Sequence, residues 1–400
     1  MQEKKALPPM DEPVPFLSAT TLADKIRKQQ AYIKRIKQVN QILNAVFEDR
    51  FIDAIEDARK VDKYIANTIL TEKELERCKP LLGIPETVKQ SCSVEGSLKR
   101  VDVKAASDCA ALHRLREAGA IPILISNTPE MCVSWECNNL ITGTTCNAYD
   151  INCSSGGSSG GESRLPAMFN GVFGHKSTPG VIPIGHWPRT PDESFRVYFT
   201  PGPLTRFAED LKLMMTALSG NISTEIKLHE KIIYMKVDLV PAVQQEIRAA
   251  VVDAQKDNLY IELLKCIFGA SKYHRDILLF YLLMKANALI PRKKRGKYEN
   301  AYNHLRQLFL SKLNTSGVFL YPTFPTSAFR HGELLPKVTG MMYSILFNVL
   351  GFPATQIPTG FDKNGLPIGL QVVAAPNQDR LCIAVAMELE KRFGGWIPPA

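Results

Sequence analysis

Serine and glycine fill one short stretch of the chain, residues 154–163, which reads Ser-Ser-Gly-Gly-Ser-Ser-Gly-Gly-Glu-Ser. Serine hydroxyls beside flexible backbone amides are the groups that acyl-transfer chemistry uses. A phosphate-binding loop is disfavoured because no lysine follows the glycines. Two interpretations stay open on composition. The stretch is either a flexible linker or a serine-hydrolase loop whose glycines let N–H groups point at an oxyanion.

The string Gly-x-Ser-x-Gly occurs twice in this stretch, at 156–160 and at 157–161. In α/β-hydrolases such a string follows an apolar strand. The preceding residues, 150–153, are Asp-Ile-Asn-Cys and do not form one. The string is therefore a weak match to that class.

Helices and strands alternate around the stretch, as expected of an α/β protein. Residues 108–118 are predicted as a helix closed by Gly119, followed by a buried strand over 120–125. A short strand over 87–89 precedes them. Other predicted helices cover 20–73, 205–219, 241–258, 299–313 and 380–392, and other predicted strands cover 318–322 and 367–373.

Several motifs together resemble one family. Gly-Gly-Ser-Ser-Gly-Gly-Glu at 156–162 resembles the central motif of the amidase signature family, and 83–89 resembles its catalytic-lysine segment. Residues 118–139, 166–176 and 347–373 resemble the fatty-acid amide hydrolase branch, type 2 in particular. The resemblance extends from about residue 7 to the C-terminus.

The resemblance implies an α/β class fold: a single α/β/α domain over 21–400, after a lead-in over 1–20, with a large twisted mixed β-sheet flanked by helices. It also implies acyl transfer from an amide or ester to water. Lys89 matches the family's base, which must be unprotonated to act. Ser158 matches the bridging serine, which stands on a cis peptide and relays the proton.

The chain departs from the family pattern at Glu162-Ser163-Arg164, where two motifs join directly. By this resemblance about 20 residues are absent, including the nucleophile and its oxyanion loop. Ser163 is the surrogate that the sequence offers. Two functions stay open: a serine amidase acting on small lipophilic amides or esters, and a catalytically inactive member with a ligand-binding or dimerising role.

Composition and charge restrict the other possibilities. With 45% hydrophobic and 22% charged residues, the chain is not of the disordered class. The net charge of +9 includes a basic run at 292–297, which fits a solvated loop or a membrane-facing patch. Nucleic-acid binding is disfavoured because few stacking aromatic residues accompany that run.

The sequence predicts no cofactor and no metal site. The nine cysteines include no Cys-x2-Cys pair, so a structural zinc site is disfavoured and reduced thiols are expected. His175 is interpreted as a structural residue. No signal peptide and no apolar stretch of about 18 residues occurs, which predicts a cytosolic-facing protein, peripheral if membrane-associated. A homodimer stays open.

Overall fold

The computed structural model describes residues 7–8, 29–100, 103–132, 134–158, 164–183, 198–220, 274, 278 and 295–399. In the first part of the chain the helices and strands are α1 Gln29–Leu43, β1 Val46–Asp49, α2 Phe51–Asn67, α3 Glu72–Cys78, β2 Pro85–Lys89, β3 Leu98–Arg100, β4 Val103–Lys104, α4 Ala110–Glu117, β5 Ile121–Ser126, β6 Asn138–Asn139 and β7 Gly143–Thr144.

In the second part they are α5 Arg164–Phe169, β8 Phe173–Lys176, β9 Leu204–Thr205, α6 Ala208–Ser219, α7 Arg295–Leu313, β10 Val318–Pro322, α8 Met342–Val349, β11 Ala354–Phe361, β12 Pro367–Ala374 and α9 Asp379–Phe393. Two 3-10 helices cover Glu130–Cys132 and Leu335–Met341.

A three-stranded sheet in the order β1-β5-β2 carries the lysine-bearing segment. Strand β5 lies in its centre, parallel to β2 and antiparallel to β1, and all six of its residues are buried. This burial explains the unbroken apolar run in β5. Gly119, between α4 and β5, has φ of 97°, and a Cβ atom there would lie 2.6 Å from the Cα of Leu82. Only glycine fits this tight connection.

A five-stranded antiparallel sheet in the order β10-β12-β11-β8-β9 forms the second layer. Helices α6 and α9 pack on it through the largest hydrophobic cluster of the described residues. That cluster also includes Leu81 and Ile84 from the segment that leads into β2, so the two sheets share one core. Two-stranded ribbons, β3-β4 and β6-β7, lie outside these sheets.

The mixed α/β class is confirmed, and within the described residues the strands form two larger sheets where the prediction had one. No described strand pairs with both β2 and β9. A cavity of about 470 Å³ occupies the space between these two strands.

The predicted helix over 20–73 is wrong in part. From residue 29 it is divided into two helices with β1 between them, and a third helix, α3, begins only at Glu72. Asn44 ends the first of them with φ of 50°, and its side chain donates to the carbonyl oxygens of Thr142 and Thr144. Asparagine tolerates the left-handed conformation better than most residues, which explains a break that apolar periodicity does not reveal.

Several predictions fall on residues outside the described ranges. The helix over 241–258 is one of them, as is most of the basic run, from which Lys297 alone has a described side chain, exposed on α7. Within the described ranges, no helix combines the length and the apolar composition that crossing a bilayer requires.

Candidate active site

Lys89 and Ser158 come together in the structure. Lys89 is the last residue of β2 and pairs with Ser126 of β5, which fixes its backbone. Its Nζ donates a hydrogen bond to Ser158 Oγ over 3.2 Å. A lysine amine and a serine hydroxyl at this distance can exchange a proton when the amine is neutral.

The loop that carries Ser158 is held by hydrogen bonds within itself and to Phe329 and the Asn170 side chain. Ser154 N donates to Phe329 O over 2.8 Å, and its hydroxyl accepts from Gly156 N over 3.0 Å. The amide of Asn170, just after α5, donates to Ser155 O over 2.9 Å. Ser154 and Ser155 are both buried. The serines before Ser158 are therefore structural, and they hold the loop rather than line the site.

Gly157 packs against backbone without room for a side chain. A Cβ atom at this position would lie 2.3 Å from the carbonyl oxygen of Ser134 and 2.8 Å from the carbonyl carbon of Trp135. The peptide bond between Gly157 and Ser158 is cis, as the resemblance implies for the bridging serine. The glycine lets the loop approach the segment after β5 closely enough to place Ser158 beside Lys89.

Ser163, the surrogate nucleophile of the sequence prediction, lies outside the described residues. The description resumes at Arg164, where α5 begins. The structure thus brings together two of the three predicted catalytic residues and leaves the third as a prediction.

An ion pair between a half-buried histidine and a buried glutamate was not found from the sequence. His331 Nδ1 lies 2.6 Å from Glu136 Oε1, and the Glu136 carboxylate also accepts from Gly332 N. Burial opposes protonation of His331, but hydrogen bonds with Cys146 and Glu136 outweigh it and raise its pKa to about 9. Glu136 stands in the segment that shares the family resemblance, which is the one signal that could have singled it out.

His175 has the structural role that the sequence analysis gave it. Its ring is buried in β8, with Nδ1 2.8 Å from Thr355 Oγ1 and Nε2 3.0 Å from Asp379 Oδ1. The same carboxylate accepts from the backbone and hydroxyl of Thr178. Burial by itself would raise the pKa of Asp379, but these hydrogen bonds outweigh it and lower the pKa. The network joins β8, β11 and α9 and has no free group for catalysis.

The cavity between β2 and β9 opens beside Lys89. Its volume of about 470 Å³ is within the range of small-molecule sites. Most of its wall is apolar. The apolar lining residues include Ile84, Val88, Leu112, Leu115, Val172, Leu204 and Met214. Such a wall favours an aliphatic ligand over a polar one. In the described part of the chain, no three His, Cys, Asp or Glu side chains gather as a metal site would require.

Comparison with solved structures supports the fold assignment. The chain matches a structure of fatty acid amide hydrolase with a TM-score of 0.72 and 19% identity, covering 98% of this chain and 88% of that one. It also matches a bacterial aryl acylamidase of the amidase signature family with a TM-score of 0.71 and 18% identity, covering 95% and 97% of the two chains. The chain therefore has the amidase signature fold.

Sequence comparison identifies relatives over nearly the full length. Human fatty-acid amide hydrolase 2 is 32% identical over 490 aligned positions, covering 98% of this chain and 92% of the relative. The Danio rerio fatty-acid amide hydrolase 2-A is 32% identical over 489 positions with the same coverage. The Amidase family matches residues 29–164 and 269–383, which include Lys89 and Ser158. On this agreement of sequence, fold and site geometry, the chain belongs to the amidase signature family and resembles its fatty-acid amide hydrolase 2 members.

Proposed function

We propose that this protein hydrolyses small lipophilic amides or esters, with Lys89 and Ser158 as its proton-transfer pair. The observation that carries the proposal is the 3.2 Å hydrogen bond from Lys89 Nζ to Ser158 Oγ. The two residues are 69 positions apart in sequence, and separate elements of the fold bring them together. A lysine and a serine in this arrangement provide general base and relay for acyl transfer.

The choice of substrate rests on the cavity and on the relatives. The wall beside Lys89 is mostly apolar, and about 470 Å³ accommodates part of an acyl chain. The relatives at 32% identity are named for fatty-acid amides, which combine an aliphatic chain with a carbonyl that a serine can attack. The cavity would hold the chain while the carbonyl lies near Ser158.

The proposed reaction needs a third group, the nucleophile, and Ser163 is the serine that the sequence offers. Its hydroxyl attacks the carbonyl carbon and passes its proton to Ser158, whose own proton moves to Lys89. The tetrahedral intermediate then collapses, and Lys89 returns a proton through Ser158 to the leaving amine or alcohol. Water, activated by the same pair, attacks the acyl-enzyme and releases the acid with Ser163 restored.

A second candidate is a member that binds a lipophilic ligand without cleaving it. The alignment with the human relative supports this candidate, because 98% of this chain is about 392 residues while the alignment has 490 positions. The difference is made up of positions that this chain lacks. On the family resemblance, we infer that one such gap stands at the join of Glu162 to Ser163, where the nucleophile loop is expected.

One experiment separates the two candidates. The purified protein is treated with a fluorophosphonate probe beside a Ser163→Ala variant, and Ser155→Ala, from the same loop, is the matched control. If the protein is a hydrolase, the probe should label the wild type and the Ser155→Ala variant. It should not label the Ser163→Ala variant. Well-folded protein, judged by circular dichroism, that is not labelled would reject the hydrolase.

Ligand binding tests the second candidate independently. Oleamide titrated by calorimetry should bind the unlabelled protein, and Met214→Trp, which fills the cavity, should weaken binding about tenfold or more. Absence of both labelling and oleamide binding would reject both candidates.

A further inference from the structure

Two cysteine thiols meet behind the lysine-bearing strand. Cys92 follows β2 by three residues, and its backbone N donates to Lys89 O over 2.8 Å. Cys109 is the N-cap residue of α4, and its backbone N donates to Ser93 O over 2.9 Å. The Cys92 side chain forms a hydrogen bond with the Cys109 sulfur. Both cysteines pack into one small cluster with Val88. The backbone hydrogen bond from Cys109 to Ser93 holds their two segments side by side.

The Cys109 sulfur lies in a setting that stabilises a thiolate. The hydrogen bond from Cys92 lowers the pKa of Cys109 most, and the backbone N–H groups of Leu112 and Ala111 lower it further. Burial acts in the opposite direction and raises the pKa. Together they lower the pKa of Cys109 to about 7. A lowered pKa raises the thiolate fraction of Cys109 at neutral pH above that of a thiol at the ordinary value of 9.0.

Cys92 and Cys109 line the 470 Å³ space between β2 and β9, although Cys109 itself is only 2% exposed. Large reagents would be excluded, but a small neutral oxidant would pass. By contrast, burial raises the pKa of the Cys153 thiol to about 11.

We propose that Cys92 and Cys109 form a peroxide-reactive dithiol that closes to a reversible disulfide. The Cys109 thiolate attacks a peroxide oxygen, the O–O bond breaks, and the sulfur becomes a sulfenic acid as hydroxide leaves. Cys92 then attacks that sulfur, the S–S bond forms, the S–O bond breaks, and the Cys92 proton leaves with the oxygen as water. Two electrons pass from the thiols to the peroxide, and a small thiol reductant reverses the change.

The disulfide would tie the turn after Lys89 to the first turn of α4. These two segments form one wall of the cavity, so closing the bond fixes that wall. The dithiol reaction does not depend on the proposed amidase function, because its reacting groups are the two sulfurs and not Lys89 or Ser158.

The test oxidises the folded full-length protein with hydrogen peroxide, blocks free thiols with N-ethylmaleimide, and maps disulfides by mass spectrometry. We expect the peptides of Cys92 and Cys109 to be linked, with a mass lower by two hydrogen atoms than that of the two reduced peptides together. Dithiothreitol should remove the linkage. In Cys92→Ser, dimedone should trap a sulfenic acid at Cys109. In Cys109→Ser, Cys92 should stay reduced.

The matched control is Cys153→Ser, which removes a buried cysteine without touching the pair and should leave the linkage unchanged. Wild-type protein needs no substitution for the central measurement, so misfolded variants do not affect it. A folded wild-type protein in which Cys92 and Cys109 stay unlinked would overturn the proposal. So would a linkage that forms equally well in urea-denatured protein.

Discussion

The imidazole of His331 and the carboxylate of Glu136 lie 2.6 Å apart although 195 residues separate them in sequence. Glu136 belongs to the segment after β5, and His331 follows β10, so the pair joins two distant parts of the chain beside the Ser158 loop. The Glu136 side chain is 1% exposed and that of His331 is 26% exposed. A charged pair in this setting links folding to pH.

The His331 pair predicts a loss of stability on the alkaline side. Its folded pKa is about 9, above the ordinary 6.5, so the stabilisation is complete below pH 6.5 and disappears as pH rises through 9. The loss should be about 1–3 kcal/mol. Urea unfolding of wild type and His331→Gln at pH 6, 8 and 9.5 measures it. The gap in unfolding free energy between the two proteins should narrow with pH, and a constant gap would contradict the prediction.

Asp379 predicts the opposite dependence. Burial opposes ionisation, but hydrogen bonds from His175 and Thr178 lower the pKa of this carboxyl below 3.8. Its stabilisation is therefore present above pH 3.8 and is lost as pH falls through the folded pKa.

Asp379→Asn should lower the unfolding free energy at pH 7 by about 2–4 kcal/mol, since it leaves buried donors poorly matched. Thermal unfolding between pH 3 and 7 measures the effect. Asp53→Asn is the control, because the Asp53 side chain is 59% exposed and should matter little. An equal effect from both substitutions would argue against the network.

Gly157→Ala should disrupt the site through the backbone. The new Cβ atom would lie 2.3 Å from Ser134 O, so the loop must move and Ser158 must leave Lys89. We expect a stability loss of about 2–4 kcal/mol and the loss of any fluorophosphonate labelling. Gly296→Ala, at an open helical position of α7, is the control and should stabilise slightly. Labelling unchanged in Gly157→Ala would be inconsistent with the described loop.

The buried position of Phe169 predicts that its truncation lowers stability and affects the segment that holds Ser154. Its ring is fully buried and stands edge-on to Phe324 and Phe329, with centroids 5.6 and 5.5 Å away. Phe169→Ala should cost about 3–5 kcal/mol, because it leaves a cavity beneath the segment that holds Ser154. Guanidinium unfolding provides the measurement. Phe393→Ala, at a 38% exposed position, should cost far less, and similar losses would refute the assignment.

Local patterns in the sequence predicted some elements well. The strand over 318–322 has the predicted bounds, and the helix–Gly119–strand unit is present with small shifts at its ends. These segments have unbroken apolar runs or a clear helix end, which are short-range signals. Strand β11 was missed, because Thr355, Gln356 and Pro358 give it the composition of a loop. Its antiparallel partners on both sides stabilise it, and those contacts are not visible in the sequence.

The candidate site depended on resemblance rather than on spacing. The spacing of Lys89 and Ser158 in the sequence does not predict that they lie together. Only the resemblance to the family motif linked the two residues before their contact was seen in the structure. The His331–Glu136 pair was missed because neither residue stands in a pattern with the other. The separation of the two sheets was also unforeseen, since it depends on which strand edges meet in three dimensions.

The loop over 154–158 connects the two sheets, although no described strand is shared between them. One of its ends is hydrogen-bonded to Phe329, in the segment after β10, while Gly157 is pressed against Ser134, in the segment after β5. Lys89 belongs to the three-stranded sheet alone. A shift of one sheet relative to the other would therefore change the distance between Lys89 Nζ and Ser158 Oγ. The distance between the two atoms of the proposed proton-transfer pair therefore depends on how the two sheets are aligned.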